Sequence, residues 1–148
     1  MLLSKQIAVD LNLTACKLKQ YMASKLKQFN IPLTPEQFLL IDLLWNQGPM
    51  TQQELATQMH KDKNSVTKLV DAIEKKGFAV REQNAQDRRS NIVHLTKLAD
   101  ELKVEAKKSG IFLLDQALFG IDEKEQLDFI ATLNKLTINM SVSEDSED

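Results

Sequence analysis

The sequence predicts a mainly helical chain carrying one small β-hairpin. Three observations predict it. Glycine and proline are scarce, 4 and 3 in 148 residues, which favours helices over a strand-and-turn architecture. Apolar residues recur at helical spacing through most of the chain. One stretch breaks that rhythm. There, two short alternating segments, Phe78 to Gln83 and Ile92 to Leu95, flank the polar, turn-prone run from Asn84 to Asn91.

In order along the chain, residues 7–29 repeat Ile7, Leu11, Leu18, Met22, Leu26 and Phe29 at helical spacing, until Asn30-Ile31-Pro32 stops them. Thr34-Pro35-Glu36-Gln37 opens a second helix. Thr34 caps the free N–H groups, Pro35 suits the first turn, and Gln37 can reach back as in a capping box. This helix carries Phe38, Leu39, Ile41, Leu43, Leu44 and Trp45, apolar almost all round, so it is the expected central helix. Gln47-Gly48-Pro49 ends it. Thr51-Gln52-Gln53-Glu54 reads as another capping box, before a short helix to Met59 with Leu55, Ala56 and Met59 inward. A further helix is expected from Lys63 to Lys76, capped by Asp62 and stopped at Gly77. After the hairpin, helix is expected from Thr96 to Gly120, with Gly110 a weak point or kink. Asp122-Glu123-Lys124-Glu125 opens the last helix, with Leu127, Ile130, Leu133, Leu136 and Met140 as its apolar stripe. The acidic end Ser141 to Asp148 has nothing to bury and is expected to be a disordered tail.

Composition narrows the function classes. Hydrophobic residues make up 43% and charged residues 27% of the chain, the balance of an ordinary globular protein. No run approaches the roughly 18 apolar residues that span a bilayer, and no signal-peptide pattern opens the chain. A single cysteine, Cys16, suits a reducing compartment. The expected location is therefore the cytoplasm, with no membrane partner. Formal net charge is −2, which argues against nucleic acid until its distribution is considered. Residues 1–29 hold five lysines against Asp10, and residues 60–90 hold eight basic against five acidic groups, whereas the C-terminal third is strongly acidic. Such asymmetry suits either a basic face for a polyanion or an ordinary solvated surface.

The informative stretch is 51–96: short helix, tight turn, second helix, charged hairpin. In a helix-turn-helix, the first helix braces a second that lies in the major groove. The second helix must bury one face and offer polar groups on the other. Val66, Leu69, Val70 and Ile73 share one face, and Lys63, Asn64, Thr67, Lys68 and Asp71 lie largely away from it. Ser65 sits in the first turn, where side chains project past the helix end. Asn can pair bidentately with adenine, Lys can donate to guanine, and Thr offers a methyl or hydroxyl group. A plain amphipathic surface helix would show the same polar face.

The order of residues adds to this. Leu55-Ala56 through Met59, Asp62 through Asp71, Ile73-Glu74-Lys75-Lys76-Gly77-Phe78, and Asp87-Arg88-Arg89 before Val93-His94-Leu95-Thr96 together resemble the MarR family of regulators. Leu33-Thr34-Pro35-Glu36-Gln37-Phe38 and Ile121-Asp122-Glu123-Lys124-Glu125 extend the resemblance over nearly the whole chain. It implies a winged helix-turn-helix lobe over about 33–96, with helices of about 1–30 and 97–140 forming a dimerisation region, all one domain. It implies a homodimeric, sequence-specific transcription regulator, a repressor by expectation, on a pseudo-palindromic site in double-stranded DNA. Lys63, Asn64, Ser65, Thr67 and Lys68 would then begin the major-groove helix. Arg88 and Arg89 would stand on the wing, with Arg89 in the minor groove and Asp87 orienting it through a charge-assisted pair. The family commonly binds small aromatic or phenolic compounds between the dimer helices and the DNA-binding lobe. An effector of that class is the candidate ligand, and no residue is assigned to it. His60 and Lys61, in the inter-helix turn, depart from the family's usual small and apolar pair, which would loosen the turn. Ala99 stands where a glycine is common.

Other sites are not expected. His60, His94 and Cys16 show no metal-ligand pairing, so neither metal nor cofactor is assigned. A peroxide-sensing role for Cys16, as in some relatives, competes with a plain small apolar helix residue; Tyr21 is the only tyrosine to support it. No Gly-rich phosphate loop and no Ser or Cys with an identifiable histidine base exist, which excludes an enzyme reading. The rival is a helical protein-interaction module, which the negative charge favours.

Overall fold

The computed structural model describes residues 2–111 and 114–145. The elements are α1 (Leu2–Gln28), α2 (Pro35–Gln47), β1 (Met50–Thr51), α3 (Gln52–Met59), α4 (Lys63–Lys75), β2 (Ala79–Gln83), β3 (Asn91–Leu95), α5 (Lys97–Ser109) and α6 (Glu123–Asp145). The chain divides into two compact units, Met1–Phe112 and Leu113–Asp148, at a point where the sequence carries no linker. No described helix is long and apolar enough to cross a membrane.

In the first unit, the helix starts are local chemistry. The Thr34 hydroxyl accepts the Gln37 N–H (3.2 Å), and Gln37 Oε1 accepts the Thr34 N–H (3.1 Å), a complete capping box. Thr51 accepts from Glu54 N (3.1 Å). The capping box expected there is present only as this first bond, without the return from the Glu54 side chain to the Thr51 N–H. Asp62 caps α4 by accepting from Ser65 N (3.3 Å). The core joins Leu26 of α1 with Phe38, Leu40, Ile41 and Leu44 of α2, Leu55 of α3, and Val66, Val70 and Ile73 of α4.

A three-stranded antiparallel sheet, ordered β1-β3-β2, closes this core. β1 was not expected. Met50 lies opposite Val93, both buried, and two residues are too few to show alternation. In the hairpin, Ala79 lies opposite Leu95 and Gln83 opposite Asn91. Val80 is half exposed, while Phe78 and Ala79 are buried. Phe78 precedes the strand and closes the end of α4, so it does not share Val80's alternation. Gly77, at φ +87, turns the chain from α4 into β2. There Thr96 Oγ1 donates to Gly77 O (2.7 Å), and Thr96 N donates to Phe78 O (3.0 Å). Ala99 is fully buried beside this junction, its N–H on the Thr96 hydroxyl.

Two helix ends differ from expectation. α5 stops at Ser109 because Gly110 takes φ +69, a left-handed cap, so Gly110 terminates the helix that the apolar spacing carried to Gly120. In the second unit, α6 starts where Asp122 accepts the Glu125 N–H (2.8 Å) and runs to Asp145. It therefore includes Ser141–Asp145, where the sequence predicts a disordered acidic tail; residues 146–148 lie outside the described residues.

Candidate nucleic-acid interface

The α3–turn–α4 pair presents the candidate recognition surface. Val66, Val70 and Ile73 are fully buried, and Leu69 is half-buried. This fixes the opposite face outward. Lys63, Asn64 and Lys68 are exposed there, on the first two turns of α4. Ser65 and Thr67 differ from these three. The Ser65 hydroxyl bonds the Asp62 carboxylate that caps the helix. That bond and the Ser65 N–H hold the Asp62 carboxyl below its usual pKa. The Thr67 hydroxyl donates to Lys63 O (2.9 Å) and accepts from Gln52 Nε2 (2.9 Å). Both hydroxyls are thus engaged within the fold.

The turn between the helices is held firmly, contrary to the loosening expected from its two unusual residues. His60 takes a left-handed conformation (φ +53). Lys61 N donates to Ala56 O (3.0 Å), and Lys61 Nζ reaches Glu36 Oε1 (3.2 Å). The same carboxylate oxygen meets Lys19 Nζ at 3.0 Å. Lys19 first, then Lys61, holds the Glu36 carboxyl below the ordinary glutamate value. An ion-pair chain therefore runs from α1 through α2 to the turn.

At the hairpin tip, Asn84 N donates to Ser90 O (3.1 Å), and Asp87 Oδ1 accepts the backbone N–H of Arg89 (3.0 Å). The charge-assisted pair expected between Asp87 and the Arg89 guanidinium is absent. Asp87 shapes the backbone of the tip, because an Asx turn two residues long offers its carboxylate the nearer N–H. Arg88 and Arg89 are exposed, and among the described residues neither guanidinium is in an ion pair. They lie in the turn beyond Gln83 and Asn91, the last pair of the ladder and the one farthest from α4. The structure thus groups Lys63, Asn64 and Lys68 on one helix face, and Arg88 and Arg89 separately on the tip.

Sequence reading missed Arg81, whose guanidinium connects β2 to both helices. It donates to Gln52 Oε1 (2.9 Å), Thr67 O (3.2 Å), Asp71 Oδ1 (2.5 Å) and Glu74 Oε1 (3.3 Å). A strand arginine ordinarily reads as solvated. The available signal was the pair Asp71 and Glu74, three residues apart on one helix face.

Elsewhere in the first unit, a groove of about 340 Å³ lies between α1 and α2, lined by Leu18, Met22, Phe38 and Leu39 together with Lys19, Glu36 and Asp42. Burial pushes the Asp42 carboxyl above its usual value. Cys16 is exposed on α1. Among the described residues, no three His, Cys, Asp or Glu side chains cluster as metal ligands.

Residues 33–91 match the MarR family. The uncharacterized HTH-type transcriptional regulator YkoM of Bacillus subtilis is 30% identical over 105 residues, covering 71% of this chain and 68% of that one. The HTH-type transcriptional regulator MgrA of Staphylococcus aureus is 25% identical over 126 residues, 84% of each chain. Among solved structures, overoxidized AbfR bound to DNA superposes with a TM-score of 0.74 at 21% identity, covering 93% of this chain and 94% of that one. That likeness establishes a shared winged fold. YkoM and MgrA are both named as transcriptional regulators, not as enzymes.

Proposed function

The chain belongs to the MarR family, and on that footing we propose that it is a cytoplasmic repressor that reads a pseudo-palindromic operator in double-stranded DNA as a homodimer. The observation that carries the reading is the two-sided α4. Its buried face holds it to the core, and its first two turns present Lys63, Asn64 and Lys68 outward. Lysine and asparagine at that place suit guanine and adenine edges. Ser65 and Thr67 border this surface; their hydroxyls serve the helix start, which leaves the Thr67 methyl for a thymine contact. Arg88 and Arg89 supply free guanidinium groups for the minor groove and its phosphates, on a tip shaped by Asp87.

Self-association is supported by the two terminal helices. Leu26 is the only buried residue of α1. Leu2, Leu3, Ile7 and Leu13 of α1, and Leu127, Phe129, Ile130 and Ile138 of α6, are exposed. Helices of 27 and 23 residues with so much uncovered apolar surface call for a partner. A second copy supplies it, with helices within about 1–30 and 97–140 as the dimerisation region and 33–96 as the reading lobe. The α1–α2 groove suits a small aromatic or phenolic effector, because its lining is mostly apolar and includes the charged groups of Lys19, Glu36 and Asp42. Such a ligand would release DNA only by binding better to a dimer whose reading helices are wrongly spaced.

The net charge of −2 favours the alternative of a protein-interaction module. Binding to a labelled mixed-sequence duplex, measured by anisotropy across 50–200 mM salt, separates the two. A dimer making about 6–10 phosphate contacts loses affinity about 10³–10⁵-fold over that range. Undetectable binding at 50 mM salt would overturn the DNA reading, and sedimentation as a monomer would overturn the dimer.

A further inference from the structure

Arg81 is the third residue of β2, opposite Val93 of β3. Its side chain is only 19% exposed. One guanidinium therefore bonds the first residue of α3 and three groups on α4, from Thr67 to Glu74. Gln52, which receives its Nε–H, is itself buried. The Gln52 amide passes the connection on to the Thr67 hydroxyl, and that hydroxyl donates to Lys63 O. The network closes on the stretch of α4 that carries Lys63, Asn64 and Lys68.

Two kinds of contact hold α4. Val66, Val70 and Ile73 press it to the core, but apolar burial is non-directional and tolerates small rolls of a helix. The Arg81 fork is planar, with five donors in fixed directions. It is satisfied at only one roll and one height of α4 against the wing strand. Groove reading needs side chains held to about 0.5 Å. The carboxylates of Asp71 and Glu74 are also held on this guanidinium, on the same helix that would approach the phosphates.

We propose that Arg81 is a positioning residue for DNA reading: it sets the roll of α4 relative to the wing, so that discrimination between sequences depends on it. This rests on the DNA-reading function above. It requires no contact between Arg81 and DNA.

The test uses the full chain and two duplexes: one enriched by the parent protein from a random pool, and a scrambled duplex of equal composition. Arg81→Met should lower the ratio of the two affinities at least tenfold, mainly by weakening the enriched duplex. Arg81→Lys should recover only a small part, since an ammonium cannot reproduce the fork. Thr67→Val and Gln52→Met, which leave the arginine in place and cut the relay, should lower the ratio in the same sense. These two carry the test if Arg81→Met proves unfolded by circular dichroism. Parental discrimination in the folded variants would overturn the proposal. So would parallel weakening on both duplexes, which means Arg81 acts through charge or folding alone. If the parent itself cannot tell the duplexes apart, the DNA reading fails and takes this proposal with it. That outcome is distinct from a discriminating parent with equally discriminating variants.

Discussion

Val66→Ala and Lys68→Ala lie two residues apart on α4 and should fail in opposite assays. Val66 is fully buried. Truncation removes two methyl-sized groups from the core, at about 0.8 kcal/mol each, and leaves a cavity that the neighbours only partly fill. The expected loss is about 2 kcal/mol of stability. Lys68 is exposed, and alanine is the better helix former, so its replacement should change stability by less than about 0.5 kcal/mol. Urea unfolding followed by circular dichroism, at one fixed protein concentration, reads this directly. The concentration is fixed because the proposed dimer formation would contribute to apparent stability. Val66→Ala should lower the midpoint at unchanged slope, yet bind the enriched duplex as the parent does at a temperature where it is folded. Lys68→Ala should keep the midpoint and lose about 1–3 kcal/mol of binding. An unchanged midpoint for Val66→Ala, or an equal fall for Lys68→Ala, would mean that the inner and outer faces of α4 are wrongly assigned.

Three further outcomes are expected. Arg89→Ala should weaken duplex binding by about 1–3 kcal/mol with no shift in the urea midpoint, since its guanidinium makes no ion pair among the described residues; parental affinity in anisotropy would remove the wing from the interface. Thr34→Ala removes the hydroxyl that accepts the Gln37 N–H at the start of α2, leaves the backbone N–H of the capping box in place, and should cost about 1 kcal/mol of stability in the same urea assay. Glu36→Gln should cost about 0.2–1 kcal/mol near neutral pH, the range for exposed ion pairs. Because the folded carboxyl titrates below its ordinary value, that contribution is complete above the ordinary value and is lost as pH falls through the folded one. The gap between parent and variant in urea midpoint should therefore close with acidification, and a gap that widens would contradict the assigned ion pairs.

What the sequence made legible was mostly local. Thr34, Thr51 and Asp62 announce α2, α3 and α4 because a cap bonds an N–H only three residues away. The inner face of α4 was legible because Val66, Leu69, Val70 and Ile73 repeat at the helix period. The stop of α5 was less so. Leu114 and Leu118 extend the apolar spacing past Gly110, and nothing local says that Gly110 adopts positive φ. Tertiary contacts explain the remaining misses. β1 exists only because Met50 meets Val93. The role of Arg81 needs α3 and α4 beside the strand, and the Lys61 ammonium ties its turn to α2 because Glu36 stands within reach. Asp87 was placed correctly on the tip, but its choice of the Arg89 amide over the guanidinium is a matter of turn geometry, which a charge pattern does not encode.

Selection of bound sequences from a random duplex library, with the full chain at near-physiological salt, tests the central claim most directly. The account predicts a two-fold-symmetric motif with half-site centres about 10 base pairs apart. A library that emerges unenriched, or a motif without two-fold symmetry, would contradict a dimeric reader of DNA.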